Sequence, residues 1–231
     1  MKFFDRLVEF VRRYLCCGHV RVEYENVAIK TELPYELRKY PASKLVCTTL
    51  ETTERSFEKN LERTERQFNR YGKGKNSFNM RVVLPEPLII KVSMEENDDF
   101  VWLRKKDDTF YHLSYFIPKK YQTRDHPEPR AEQNLHFEDK RKTYFYVIKF
   151  RGIRNQEDWT KQLNKLKNYM KRDAIHFDTV DFKTLYYCRY SSPLKFLSCF
   201  RLHEVWIKMH SQYTDSPDSY STTSNYSTYA S

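Results

Sequence analysis

The chain has 231 residues, 39% of them hydrophobic and 16% aromatic, which allows a core of its own and excludes a wholly disordered chain. The formal net charge of +10 points to anionic partners (nucleic acid, acidic lipid or a carboxylate-bearing ligand), with solubility alone as the plain alternative. Five cysteines, Cys16, Cys17, Cys47, Cys188 and Cys199, form no CxxC pair and no zinc spacing, and they read as reduced thiols in a cytoplasmic protein.

Residues 2–16 read as an amphipathic helix, with Phe3, Leu7, Phe10, Val11 and Tyr14 at near-helical spacing and Lys2, Arg6, Arg12 and Arg13 beside them. Asp5 and Glu9 interrupt the apolar run, which argues against a signal peptide. Residues 1–25 are therefore taken as a helix and linker. They suit either a membrane surface, with Cys16 and Cys17 as acylation sites, or docking on the domain's side. No segment is long and apolar enough to span a bilayer.

Strands are expected at 35–40 and 44–51, with Pro41 at the join. A helix follows over 53–71, with Phe57, Leu61, Thr64 and Phe68 on one face and Gly72 and Gly74 at its end. Short strands are expected at 79–83, 88–92 and 101–104; the acidic stretch 94–99 lacks a calcium loop's glycine and spacing. Strands at 110–117 and 143–150 precede a helix over 156–171, whose face is Trp159, Leu163, Leu166 and Met170. Strands at 179–190 and 203–209 close the domain, 26–210, and the order of elements suggests a weak internal duplication. Residues 211–231 are Ser/Thr/Tyr-rich with almost no aliphatics and read as a disordered tail.

Nothing in this pattern resembles catalytic chemistry. There is no nucleophile elbow, no phosphate-cradling glycine loop and no HxxxH or HExxH among His112, His126, His136, His176, His203 and His210. The chain is read as a non-enzyme. Basic residues alternate with acids, as in Glu58-Lys59 and Glu62-Arg63, and no nucleic-acid motif is visible, so no nucleic-acid partner is expected.

The stretch YYCRYSSPLKFLSCFRLHEVW, residues 186–206, resembles the C-terminal signature of the SOUL/heme-binding-protein family, which reads roughly YYxxGYxSPxK followed by NEVW. YELRKYPASKLVCTTLE (35–51), FNRYGKGKN (68–76), YFIPKKYQTRDHPEP (115–129) and YFYVIKFRG (144–152) resemble its other blocks, in the family's order. The resemblance implies an α+β domain: a pseudo-twofold duplicated fold with a curved antiparallel β-sheet or distorted barrel and two long helices. It also implies a cytoplasmic monomer that binds heme or a related porphyrin reversibly and non-covalently, in an apolar cleft with basic residues at the propionates. Cys16-Cys17-Gly18-His19 is not the CxxCH of covalent attachment.

Carried onto this chain, the family's basic positions fall on Arg70 and Lys195. A third appears as Glu62, which Arg63 or Arg66 would compensate. The glycine of GYxSP is Arg189, which would narrow the slot or add a propionate partner. The segment 82–88 (VVLPEPL) departs from the family's KMTxPV. Lys39 replaces a family histidine and, protonated, cannot ligate iron. His203 is a candidate ligand if its strand end reaches the cleft. Micromolar affinity requires roughly 8 kcal/mol. Surface ion pairs supply about 0–1 kcal/mol each, whereas about 300 Å² of apolar burial supplies roughly 7.5 kcal/mol before association costs. The ring would thus carry the affinity and the cations would orient it. The rival reading is a heme-free module that uses the first helix and the basic face on a membrane surface or a protein partner.

Overall fold

The computed structural model describes residues 20–27, 33–52, 56–93, 109–122, 125–151, 156–176, 179–191 and 201–210. Among these residues two α-helices and nine strands form an α+β fold. The strands are β1 (Glu25–Asn26), β2 (Glu36–Tyr40), β3 (Ser43–Thr52), β4 (Leu88–Ser93), β5 (Thr109–Phe116), β6 (His136–Lys140), β7 (Thr143–Arg151), β8 (Val180–Arg189) and β9 (Leu202–Met209). The helices are α1 (Phe57–Gly72) and α2 (Gln156–Arg172), with 3-10 turns at Lys119–Tyr121 and Ala131–Gln133.

The strands make one sheet in the order β1-β2-β7-β9-β8-β4-β5-β3-β6, antiparallel at every neighbouring pair. The sheet is open, with β1 and β6 at its edges, so the barrel alternative is not closed. It must nevertheless curl. β6 and β7 stand six places apart, roughly 29 Å across a flat sheet, yet only Arg141 and Lys142 join them, a reach of roughly 10 Å.

Alternation along the strands separates two faces. Val205 and Ile207 of β9 join the large core under the helices. Trp206 joins Tyr40, Phe116, Phe145, Cys47 and Cys188 on the inner face. There Tyr40 stacks on Trp206 at 4.9 Å between ring centroids and on Phe116 at 5.8 Å. Both helices bury the faces that their periodicity predicts: Phe57, Leu61, Thr64 and Phe68 in α1, and Trp159, Leu163, Leu166 and Met170 in α2. Phe57 meets Trp159 edge-on at 5.8 Å, joining the two helices, and Trp159 stacks on Tyr187 of β8 at 3.5 Å.

The end of α1 explains its two glycines. A Cβ on Gly72 would lie 2.8 Å from the Val82 carbonyl oxygen, and Val82 N–H donates to Gly72 O at 2.9 Å. Gly74 has φ +105°, which side chains rarely adopt. The strand expected at 79–83 does not form. Asn79 has φ 52°, and the buried Asn76 side chain donates to Met80 O at 2.8 Å and accepts from Phe78 N–H at 3.2 Å, which closes a turn over residues 76–80 where the strand would begin. Strands β1 and β6 were not anticipated. The strand expected at 101–104, the acidic stretch 94–99, the helix expected at 2–16 and the tail 211–231 lie outside the described residues. No described helix is long and apolar enough to cross a membrane.

Candidate functional site

Lys59, Arg63, Arg66 and Arg70 repeat the 0, 4, 7, 11 spacing of the α1 core stripe two residues later, which sets them roughly 200° around the helix. They are exposed, and among the described residues no ion pair joins any of them. With Ser56, Asn60, Gln67 and Glu132 of the Ala131–Gln133 turn they line a groove of about 720 Å³. Arg63, Arg66 and Arg70 are thus brought together. A row of four cations facing one acid attracts a carboxylate-bearing ligand.

The remaining sequence candidates lie elsewhere. Arg189 passes beneath α1, on the core side, where Nη1 lies 3.5 Å from Glu58 and 3.6 Å from Glu65, and its side chain is only 10% exposed. His203 is wholly buried in the helix-side core, its ring stacked on Phe150 at 5.4 Å and on Tyr187 at 5.6 Å between centroids. Its Nδ1 also shares a hydrogen bond with the Tyr187 hydroxyl. It lines neither of the two cavities described here. Lys195 lies outside the described residues. Lys39 pairs with Glu25 at 2.6 Å on the exposed edge, and Glu62 is exposed but does not line the groove.

The groove fits one end of a porphyrin better than its centre. Its cations match propionates, and guanidinium planes and arginine stems offer flat contact to a ring. Among the described residues no histidine, cysteine, methionine or tyrosine lines it, and the described walls are polar throughout.

A second cavity, of about 590 Å³, opens where the segment 21–24 passes the inner-face end of β2 and β9, with aromatic walls from Tyr24, Tyr40, Phe150 and Tyr190. Behind it lies a buried network that the sequence reading missed. Glu204 accepts from Arg38 Nη1 and Nη2 at 2.9 Å each, from the Tyr190 hydroxyl at 3.0 Å and from Trp206 Nε1 at 2.7 Å. Arg38 also donates through Nε to Glu36 at 2.7 Å, and Tyr24 lies over its guanidinium at 4.2 Å. Burial works against the Arg38 charge, but the Glu204 carboxylate more than restores it and holds the pKa above the usual arginine value. These residues are letters of YELRKY, RY and HEVW. Motif letters were visible in the sequence; their bonding across β7 was not.

Comparison with known proteins agrees with this architecture. Residues 20–208 match the family described as SOUL heme-binding protein. Heme-binding protein 2 of Mus musculus is 27% identical over 173 residues, covering 75% of this chain and 77% of the relative. Heme-binding protein 1 of Xenopus tropicalis is 26% identical over 184 residues, covering 77% and 84%. Among solved structures, the EcmrR C-terminal domain superposes with a TM-score of 0.51 at 8% identity, covering 81% of this chain and 98% of that domain, a likeness of fold alone. With the family match spanning both described helices and the nine described strands up to Lys208, the chain belongs to the SOUL heme-binding protein family.

Proposed function

We propose that the protein binds heme or a related porphyrin reversibly, non-covalently and without catalysis, with the ring against the outer face of α1. Arg63, Arg66 and Arg70 meet the propionates, and Lys195, at the family's other basic position in the sequence, is proposed as a further partner. The observation that carries this reading is the gathering of those three arginines in one groove, in a chain whose relatives are named heme-binding proteins. Iron takes no axial ligand from the groove, and His203 stays in the core. The apolar cleft implied by the family resemblance is not what this groove offers; bound there, the ring would lie on arginine stems and guanidinium planes, and the chain would contribute charge and orientation. A cytoplasmic monomer is part of the proposal.

The internal duplication is proposed with it. Support comes from the sheet order: outward from the central β4–β8 pair, β5, β3 and β6 on one side correspond to β9, β7 and β2 on the other, with α1 matching α2.

Hemin titration, followed by the Soret band and by Tyr/Trp quenching, tests the site. Saturable one-to-one binding is expected, weakened roughly 5- to 10-fold by Arg66→Glu or Arg70→Glu, since each reversal replaces an attraction of about 0–1 kcal/mol with a repulsion of similar size. Lys165→Glu, on the exposed face of α2, should leave it unchanged. Saturable binding indifferent to both arginine reversals would move the site away from α1. A non-saturating response would favour the rival reading, in which the cationic row and the first helix meet a membrane surface or a protein.

A further inference from the structure

Cys47 of β3, His112 of β5, and His136 and Glu138 of β6 project from one face of three adjacent strands. Register fixes this. Cys47 stands directly opposite His136, Leu45 is opposite Glu138, and Thr49 is opposite His112. Residues 45, 47 and 49 of β3 share a face, and so do their partners. The Cys47 sulfur, a ring nitrogen of His112 and a carboxylate oxygen of Glu138 all lie within 4.8 Å of one another. His112 Nε2 is 3.3 Å and His136 Nε2 3.1 Å from the two Glu138 oxygens. Zinc bonds of about 2.0–2.3 Å in tetrahedral geometry place ligand atoms roughly 3.3–3.8 Å apart. The His112 and His136 rings stand 6.2 Å apart between centroids. An approach of roughly one ångström would let both meet one ion.

We propose that Cys47, His112, His136 and Glu138 bind a divalent transition-metal ion of the zinc class at the β6 edge of the sheet. The donor set decides the class. One sulfur and two imidazoles suit a borderline-soft ion and not calcium or magnesium, which take oxygen. Access is graded in the required sense: Cys47 is wholly buried at the base, while the side chains of Glu138 and His136 are 46% and 51% exposed at the mouth. Thiolate and carboxylate together neutralise a dication, which limits repulsion from Lys91, opposite His112. Binding breaks the Cys47 S–H bond, forms a sulfur–metal bond and releases one proton to solvent, with no change of oxidation state. Burial and the neighbouring Glu138 keep that thiol protonated without metal, so the ion competes with a proton. No spacing rule could reveal this set, because its members come from three strands and β6 was not recognised as one.

The test is Co²⁺ titration of the chelator-treated, reduced full chain, with Zn²⁺ as competitor. Expected are one equivalent bound, a thiolate-to-cobalt charge-transfer band, intense tetrahedral d–d bands, and displacement of all of these by Zn²⁺. Cys47→Ser should abolish the charge-transfer band, and His112→Ala or Glu138→Gln should weaken binding at least about tenfold. Cys188→Ala and the double change Cys16→Ser/Cys17→Ser should leave the spectrum intact. Should Cys47→Ser fail to fold by circular dichroism, Glu138→Gln at the exposed edge still decides. Absence of a thiolate band, or its survival in both Cys47→Ser and Glu138→Gln, overturns the proposal. The readout is independent of hemin.

Discussion

Glu204 takes four hydrogen bonds on one buried carboxylate, two from Arg38 and one each from Tyr190 and Trp206. Removing it alone leaves the wholly buried Arg38 guanidinium with Glu36 at Nε and the Tyr40 hydroxyl at Nη1, but without the carboxylate that both terminal nitrogens face. Glu204→Ala should therefore cost about 3–5 kcal/mol in urea unfolding, and Arg38→Met with Glu204→Leu together should cost much less, because no charge is stranded. A double variant as unstable as the single would refute the stranded-charge account. Lys140 poses the opposite problem. Its ammonium sits 4.4 Å from the Phe145 ring centroid and within 5.8 Å of those of Phe116, Tyr40 and Tyr186. Desolvation pushes its pKa down to about 7. Between about 7 and the unfolded value of about 10.4 the unfolded chain holds a proton that the folded chain lacks, so stability rises with pH across that window, and the penalty is complete below it. Lys140→Met should stabilise on the order of 1–3 kcal/mol near pH 6 and little near pH 10. An equal gain at both would show that the lysine does not titrate as this environment dictates. Neither residue advertised its role in the sequence, where Arg38 was a motif letter and Lys140 one more surface-type cation.

At the scale of elements, helices were read closely because one stripe of four residues fixes a buried face. Both stripes, from Phe57 and from Trp159, are buried throughout. The family resemblance pointed to Arg70, with Arg63 or Arg66 as compensation for Glu62; their shared groove with Glu132 needed the turn at Ala131–Gln133, which no local pattern announced. Strands were harder. The segment 79–83 has strand-like composition, but Asn76 closes a turn over its start, while β6 reads HFEDK and has the charge of an edge strand instead of a core one. The join between α1 and the segment it packs on is where substitution should tell most. Gly72→Ala drives a Cβ against the Val82 carbonyl and should cost about 1–3 kcal/mol in thermal or urea unfolding. Lys73→Ala, one residue on, should cost under about 0.5 kcal/mol. Comparable losses at both positions would remove close approach as the reason for the glycine.

The whole molecule divides its labour between an outer face covered by helices, with cations beyond them, and an inner face lined with aromatics and polar groups. Deleting residues 1–17 separates the two functional readings. The porphyrin binder should keep its hemin affinity within about twofold, whereas a module that works through its first helix should lose vesicle or partner association; a hemin affinity that collapses with the deletion would place the first helix in the binding site. Sheet order has a further consequence, in time. Of the described strands β9 is the last that a ribosome delivers, yet it lies between β7 and β8. Until it emerges, both strands keep a bare edge, and Arg38, made some 160 residues earlier, waits for the acid at 204. A nascent chain stalled just short of 202 therefore holds the eight other described strands and two adhesive edges, and its safety rests on how fast synthesis proceeds or on what shields it meanwhile.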